Sequence, residues 1–171
     1  LYKQLRHMVN VPPQQRRDTL QWYFATRAFE NLCSFHDLFY QHGRKVVPDR
    51  IRIFLDSPLT VAVWYMDDGR LDYRKKSHYA YSFSTDAFSV TEVELLQSIL
   101  FEKFGVESSI HMSLCRGKRY PKLYIGKNGR DQFFSLISPF ILDCFAYKLP
   151  PVRLHEYSDP SETDPRHGGV R

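Results

Sequence analysis

An uncharged, mostly apolar segment that runs straight into two adjacent carboxylates is the feature that most constrains the fold of this 171-residue chain. Residues 58–66 carry no charge, and the sequence Asp-Asp-Gly follows them directly. Asp56 or Ser57 can cap a helix whose first residue is Pro58, where a missing backbone N–H costs nothing. The sequence therefore predicts a helix from Pro58 to about Asp68 with an apolar surface and an acidic carboxyl end.

The acidic end of this helix is electrostatically unfavourable on its own. The carboxyl end of a helix carries partial negative charge, so each acid there costs a few tenths of a kcal/mol. A bound cation reverses the sign of that interaction. Because Mg²⁺ needs only one or two carboxylates plus water and phosphate oxygens, two interpretations stand: a core helix whose acids meet water, and a metal site.

Beyond this helix, hairpins alternate with helices. The stretches "GRLDYRKKS" and "HYAYSFST" predict one hairpin, and "ESSIHMSLCRGKRYPKLYIGKNG" predicts a second. Between them, Ser89 and Glu92 form a capping box ahead of a helix that ends at Gly105. A last helical segment is interrupted at Pro139. The order predicts an α+β fold with helices on one face of an antiparallel sheet.

Ahead of the apolar helix, the chain reads as a strand followed by a helix over Leu20 to Gly43, with the helix closing at the glycine. We expect residues 1–150 to form a single domain, with 1–56 as an amino-terminal extension and lead-in and 57–150 as the core. The remaining residues, 151–171, lose the apolar period and are expected to form a flexible tail.

Composition limits the cellular compartments and the binding partners that we expect for this protein. The formal charge is +5, and residues 151–171 hold three arginines against four acids, so the rest of the chain carries +6. This excess of positive charge suggests a polyanionic partner.

Three cysteines without a C-x-x-C pair indicate buried thiols in a reducing intracellular compartment, either a bacterial cytoplasm or an organelle. No apolar run approaches the roughly 18 residues that span a bilayer, so no membrane partner is expected. The chain starts at Leu1, which leaves its true start open.

The face of the predicted sheet that points away from the helices carries short polar side chains, and basic residues surround the hairpin tips. The polar positions are Ser82, Ser84, Ser109, His111, Ser113, Lys122 and Tyr124. The basic positions are Arg70, Arg74, Lys75, Lys76, Arg116, Lys118, Arg119 and Lys127. Lysine and arginine bind phosphates, while serine, histidine, tyrosine and lysine can reach base edges. This surface suits a DNA groove, although a merely solvated face with charged turns has the same pattern.

The segment "LTVAVWYMDDG" resembles the signature helix of the LAGLIDADG homing endonucleases, in the variant A-x-W-x-M-D-D-G. The resemblance extends to other segments in the same order. "FHDLFYQHGRKVVPDRI" is similar to the lead-in of the intron-encoded branch, "FSTDAFSVTEVELLQSILFEKFG" to its second strand and following helix, and "SPFILDCFAYKL" to its closing segment. The resemblance covers about Phe35 to Leu149.

What this resemblance implies for the fold is an αββαββα saddle whose antiparallel sheet lies on double-stranded DNA, here with an amino-terminal strand-helix extension. The signature helix would pack against a like helix across a two-fold axis. The residues expected to be buried by that partner helix are Val61, Ala62, Tyr65 and Met66. A single signature favours a homodimer, with half of a longer two-motif chain as the alternative.

For chemistry, the resemblance implies that Asp68 and Gly69 hold Mg²⁺ or another divalent cation such as Mn²⁺. Lys148 would act near the reacting phosphates. The expected activity is site-specific hydrolysis of double-stranded DNA at a long, near-palindromic target. The alternatives are a maturase that binds group I intron RNA, a non-cleaving DNA-binding regulator of the same fold, and a protein-binding domain whose apolar helix serves only for dimerisation.

Overall fold

The computed structural model describes residues 2–74, 78–115 and 117–151. Contacts between residues divide the chain into two compact units, the first covering Leu1–Pro48 and the second beginning at Asp49. Three of the basic residues assigned to the hairpin tips, Lys75, Lys76 and Arg116, lie outside the described residues, as does the expected tail from position 152 onward.

The first unit contains short elements. They are α1 (Tyr2–Leu5), a 3-10 turn (Arg6–Met8), β1 (Gln14–Gln15), β2 (Trp22–Tyr23), α2 (Glu30–Phe39), β3 (Tyr40–Gln41) and β4 (Arg44–Lys45). Strands β1 and β2 pair antiparallel, and so do β3 and β4. The helix that was expected to close at Gly43 ends at Phe39, because His42 and Gly43 adopt positive φ angles of 52° and 72°. Two such residues form the tight turn of a hairpin instead.

The second unit has the predicted order of elements after a one-turn helix, α3 (Ile51–Phe54). They are α4 (Pro58–Asp68), β5 (Gly69–Arg74), β6 (His78–Phe83), α5 (Val90–Phe104), β7 (Ser109–Cys115), β8 (Lys118–Ile125) and α6 (Arg130–Ile137), followed by 3-10 turns at Ser138–Phe140 and Asp143–Lys148. The expected α+β arrangement is confirmed.

Local sequence explains where the two long helices begin and end. The Ser57 hydroxyl accepts a hydrogen bond from the Thr60 amide at 3.2 Å and starts α4. Ser89 and Glu92 form the predicted capping box at the start of α5. Gly105 ends α5 in the left-handed region, with φ of 66°, where glycine avoids the strain that a side chain would meet.

The four-stranded sheet has the order β5-β6-β8-β7, and every neighbouring pair is antiparallel. One face carries buried apolar residues, including Tyr81 and Phe83 on β6. The ring of Tyr65, on α4, meets Tyr81, Phe83 and Phe133 edge-on, with centroid distances of 5.5, 5.7 and 5.3 Å. Such pairs each add to the stability gained from burial. Among the described residues, the core therefore contains the buried aromatic rings of Tyr65, Tyr79, Tyr81, Phe83 and Phe133.

The interface predicted for α4 is wrong. Val61, Ala62 and Tyr65 have no exposed surface within the single chain, and Met66 is 8% exposed. These residues pack inside their own unit, so no partner helix can bury them. The sequence could not separate the two sides, because a helix that is apolar on several faces does not indicate which face its own chain covers.

The cysteines also differ from expectation. Cys33, Cys115 and Cys144 are free, as predicted, but all three are exposed rather than buried. Across the described ranges, no helix combines the length and hydrophobicity required to cross a bilayer.

Candidate functional site

The acidic end of α4 meets the sheet where β5 begins. Gly69 ends the helix and donates its amide hydrogen to the carbonyl oxygen of Tyr65. The carbonyl oxygen of Asp68 accepts a hydrogen bond from the Ser84 amide at 3.0 Å, which ties the helix end to the residue after β6. Asp68 is half-buried and Asp67 is exposed. In the described part of the chain, neither carboxylate has an ion-pair partner.

The donors at this helix end suit a hard divalent cation only as part of a larger site. Among the described residues, no group of three or more histidine, cysteine, aspartate or glutamate side chains could hold a metal ion. Mg²⁺ is commonly bound by one or two carboxylates, with water and substrate phosphates as the other ligands. The Asp68 carboxylate and the Gly69 backbone oxygen therefore fit such an ion, provided that DNA, water or a second protein segment supplies the remaining oxygens.

Lys148 binds the same helix end from a distant part of the sequence. Its ammonium group donates to the carbonyl oxygen of Met66 at 2.6 Å and reaches those of Tyr65 and Asp67 at 3.4 Å. In return, the Tyr65 hydroxyl donates to the carbonyl oxygen of Lys148 at 2.8 Å. Burial raises the pKa of Tyr65 well above its usual range, so the hydroxyl keeps its proton. The predicted catalytic lysine therefore lies at the acidic helix end, although its role at a phosphate stays a prediction.

Most of the predicted polar positions share the sheet face that points away from the helices. The register places Arg70, Ser82, Tyr124 and Ser109 in one row across all four strands. On the neighbouring rows, His111 pairs with Lys122, Ser113 with Tyr120, and Arg74 with His78. Ser84 follows β6 and Lys118 begins β8 on this face, while Lys127 lies in the turn after β8. Their role in DNA binding stays a prediction.

Side chains at the centre of this face hold one another in place. The Tyr124 hydroxyl hydrogen-bonds to Nε2 of His78 at 3.0 Å, and the His111 ring stacks on the Tyr124 ring with 4.4 Å between centroids. Ser109 Oγ lies 3.1 Å from Nε2 of His111. The centre of the face is thus a connected polar network whose rings have fixed orientations.

The register also corrects and extends the predicted surface. Arg119 pairs with Leu114 and alternates with Lys118, so it lies on the helix side of the sheet, not with the polar row. Asp72 and His78 were missed, although both alternate in phase with predicted positions on β5 and β6. That alternation is visible in the sequence, but the predicted surface included no acids and no residue of β6 before Ser82.

A second exposed feature lies on α4. Leu59 and Val63 are 52% and 53% exposed, four residues apart, and Asp67 continues the same row. Residues spaced by four lie on one side of a helix. The side of α4 that its own unit leaves open is therefore an apolar stripe that ends at the acids.

Comparisons with known proteins agree with this architecture. The model of the "LAGLIDADG DNA endonuclease family" matches residues 1–133, which extends further toward the amino end than the resemblance from Phe35. The chain is 30% identical over 152 residues to a probable intron-encoded endonuclease 1 of Wickerhamomyces canadensis, covering 87% of this chain and 61% of that protein.

Two further similarities are to an mRNA maturase and to a DNA-bound homing endonuclease. A cytochrome b mRNA maturase bI2 of Debaryomyces hansenii is 29% identical over 126 residues, covering 74% of this chain and 45% of the maturase. The solved structure of the homing endonuclease I-WcaI bound to its DNA recognition sequence matches with a TM-score of 0.73 and 25% identity, covering 87% of this chain and 68% of that one. The chain thus spans about half to two thirds of the length of these relatives.

Proposed function

This chain belongs to the LAGLIDADG DNA endonuclease family, and from that premise we propose that it acts as a site-specific endonuclease on double-stranded DNA at a long, near-palindromic target. It would serve intron homing, as the name of its intron-encoded relative suggests. The solved relative bound to its recognition sequence supports duplex DNA as the partner.

One observation carries this proposal: the acids of α4 and the polar sheet face adjoin each other. Gly69 follows Asp68 directly and starts β5, and the next residue, Arg70, begins the polar row that crosses the sheet. DNA bound on that face would have its backbone beside a carboxylate that has no positive partner among the described residues. Phosphodiester hydrolysis needs that juxtaposition of a bound duplex and an acidic site.

In this proposal, the Asp68 carboxylate and the Gly69 carbonyl oxygen hold Mg²⁺, or Mn²⁺ in its place. When bound, the divalent ion supplies an activated water and stabilises the leaving oxygen. The residues of the chain have other tasks. Asp68 places the site at the helix end. The helix dipole adds negative potential there, so the helix end with a bound cation is more stable than the helix end with its carboxylates alone.

The sheet face would bind and orient the duplex. Arg70, Arg74, Lys118 and Lys122 can take phosphates, because their charges are exposed or half-exposed around the polar row. The Ser82 and Ser109 hydroxyls and the Tyr124 network offer donors and acceptors for base edges. Contacts to phosphates position the duplex, and contacts to bases select it.

We propose that the second half of the site comes from a second copy of the chain. The support is the open apolar stripe of Leu59 and Val63 on α4, which leads to Asp67. Two such stripes packed face to face would exclude water and bring an acidic helix end from each copy to the two-fold axis. A near-palindromic target follows from that symmetry.

The test is cleavage of a randomised double-stranded DNA library with and without Mg²⁺. Wild type is compared with Asp68→Asn, and Asp67→Asn serves as the matched control because the two acids are neighbours. We expect metal-dependent cuts at a near-palindrome, a loss of at least about a thousandfold for Asp68→Asn, and much smaller loss for Asp67→Asn. DNA binding without metal should survive in all three proteins. Equal cleavage by Asp68→Asn would refute the assignment.

A second candidate function is that of an RNA-binding maturase, favoured by the match to a cytochrome b mRNA maturase. The library experiment separates the two functions when binding to a group I intron RNA is measured beside it. A protein that retains duplex DNA only weakly, cuts nothing in Mg²⁺ and binds a group I intron RNA tightly would be a maturase. A protein that binds duplex DNA specifically without cutting it would be a regulator.

We also propose a reducing intracellular compartment as its place of action, which leaves a bacterial cytoplasm and an organelle open. The support is three exposed free thiols, at Cys33, Cys115 and Cys144. Exposed thiols tend to oxidise or cross-link in oxidising compartments. Purification without a reductant should therefore yield disulfide-linked species that reductant removes.

A further inference from the structure

We propose that Lys148 is a positioning residue that holds the carboxyl end of α4, and with it Asp68, through the backbone carbonyls of the last helical turn. Tyr65 completes a reciprocal clamp from the helix side. This inference rests on the proposed function, since it concerns the same metal site, but it assigns Lys148 a target other than the reacting phosphate.

Electrostatics favours a cation at the carboxyl end of α4. The last carbonyl oxygens of a helix lack partners within the helix and carry partial negative charge. In α4 no basic residue occupies the last turn, and that turn instead carries Asp67 and Asp68. Its carboxyl end is therefore more negative than that of an ordinary helix. A cation supplied from elsewhere in the chain relieves this charge, and Lys148 is that cation.

The N–H donors of Lys148 match the carbonyl oxygens at the end of α4 in number. A lysine ammonium has three N–H groups and no acceptor. The Lys148 ammonium bonds to the Met66 carbonyl oxygen at 2.6 Å and lies 3.4 Å from two more, those of Tyr65 and Asp67. The three donors are thus directed at three consecutive carbonyls. The Lys148 ammonium could bind a phosphate oxygen only if it gave up its hydrogen bonds to the carbonyl oxygens of α4.

Tyr65 and Lys148 each bind the backbone of the other's segment. The Tyr65 hydroxyl donates to the carbonyl oxygen of Lys148 at 2.8 Å, while the Lys148 side chain binds the helix that carries Tyr65. Tyr65 has no exposed surface. Two segments separated by 83 positions in the sequence are therefore joined in both directions, and each bond fixes the geometry that the other requires.

These bonds restrict the backbone that carries Asp68. This residue follows the three carbonyls directly, and its own carbonyl oxygen is held by the Ser84 amide at 3.0 Å. With the preceding turn fixed by Lys148 and the following residue fixed by the sheet, the backbone that presents the Asp68 carboxylate and the Gly69 oxygen has little freedom. Groups that orient metal ligands in this way commonly change metal affinity when they are removed.

The experiment compares Lys148→Met, Tyr65→Phe and the double variant in the full chain. Two other variants are matched controls. Tyr81→Phe removes a buried hydroxyl that has no hydrogen-bond partner among the described residues, and Lys103→Met removes a lysine that donates to a different backbone carbonyl, that of Arg52. Tyr81→Phe keeps the ring that meets Tyr65 and removes no hydrogen bond to α4, and Lys103 bonds to Arg52 outside α4.

Two quantities are measured for each variant, Mg²⁺ affinity and thermal stability, and neither depends on the rate of DNA cleavage. The first is Mg²⁺ affinity, measured calorimetrically on the complex with an already cleaved duplex, so that no reaction contributes heat. We expect each single variant to weaken Mg²⁺ binding by about tenfold, the double variant to lose little more, and both controls to match wild type. The second is thermal unfolding without DNA, in which the two substitutions should be non-additive.

The alternatives give different results. If Lys148 acts directly on the phosphate, Lys148→Met slows single-turnover cleavage at saturating Mg²⁺, Mg²⁺ affinity stays unchanged and Tyr65→Phe cleaves normally, which would overturn the inference. Strictly additive unfolding effects would also overturn it. If wild type neither binds nor cuts duplex DNA but the unfolding effects are non-additive, the clamp stands and the proposed function fails.

Discussion

The ring of Tyr65 lies directly against the backbone of Gly69, so that any side chain at position 69 would overlap both the ring and the carbonyl oxygen of Tyr65. The backbone angles at Gly69, φ −81° and ψ 151°, are open to every residue type. Glycine is therefore required here for space and not for conformation. The glycine of the Asp-Asp-Gly sequence lets the helix pass straight into β5 over a fully buried aromatic ring.

Gly69→Ala should lower the free energy of unfolding by about 2 kcal/mol or more, because an added methyl group in a packed site forces side chains and backbone apart. Gly105→Ala is the control. A side chain at Gly105 meets open space, and only its φ of 66° is strained, so a loss of about 1 kcal/mol is expected there. Urea unfolding measures both. A smaller loss at Gly69 than at Gly105 would show that the contact is relieved cheaply.

Lys122→Ala should weaken DNA binding in a salt-dependent way, whereas Arg119→Ala should have little effect. The two residues lie three positions apart on β8, but the register places Lys122 on the polar face and Arg119 on the helix side. Loss of one phosphate contact lowers the slope of log affinity against log salt by about 1. Fluorescence anisotropy at several salt concentrations measures the slope. A larger effect for Arg119 would assign the DNA to the other side of the hairpin.

Val63→Lys should convert the proposed dimer to monomers and abolish double-strand cleavage, since a charge would be buried without a partner between the two α4 stripes. Phe101→Lys is the control, because Phe101 is also exposed but lies on α5. Sedimentation velocity gives the mass of each protein. A wild-type chain that sediments as a monomer and still cuts both strands would contradict the homodimer, and a like helix would then have to come from another part of a longer polypeptide.

Stability should fall steeply at alkaline pH. Burial and the hydrogen bond to Asp131 raise the pKa of Tyr79 from 10.0 to about 12. The folded state therefore keeps a proton that the unfolded state loses first, so this contribution is complete below pH 10 and disappears between about pH 10 and 12. Urea midpoints across that range should drop, and Tyr79→Phe should reduce the drop. An unchanged pH dependence in Tyr79→Phe would exclude Tyr79 as a source.

Much of the second unit could be read from its sequence, because its signals are local. Pro58 at the first helical position, the Ser89–Glu92 box and the turn residues between strands each act within a few residues, and each element begins and ends close to the expected position. The alternation on β6 and β8 likewise predicted the polar face. In the first unit the signals were weaker: Gly43 indicated the end of a helix, but His42 and Gly43 form the turn of a hairpin instead.

The residues of the candidate site could be predicted from the sequence, but the contacts between them could not. The sequence indicated Asp68, Gly69 and Lys148 through a resemblance, while the bond between the Lys148 ammonium and the Met66 carbonyl joins residues 82 positions apart. No pattern of spacing reports such a contact. The assignment of Val61, Ala62 and Tyr65 to a partner failed for the same reason, since their burial depends on α6 and the sheet, which close over one side of α4.

Local sequence specifies the order of helices and strands, the basic character of the chain and the presence of an acidic helix end, because periodicity, capping and charge are properties of neighbouring residues. Packing between distant segments sets which side of α4 stays open, which basic residues share the polar face, and that a distant lysine neutralises the helix end. Those outcomes depend on competition between surfaces for burial and on backbone atoms as hydrogen-bond partners, and neither is recorded in the order of side chains.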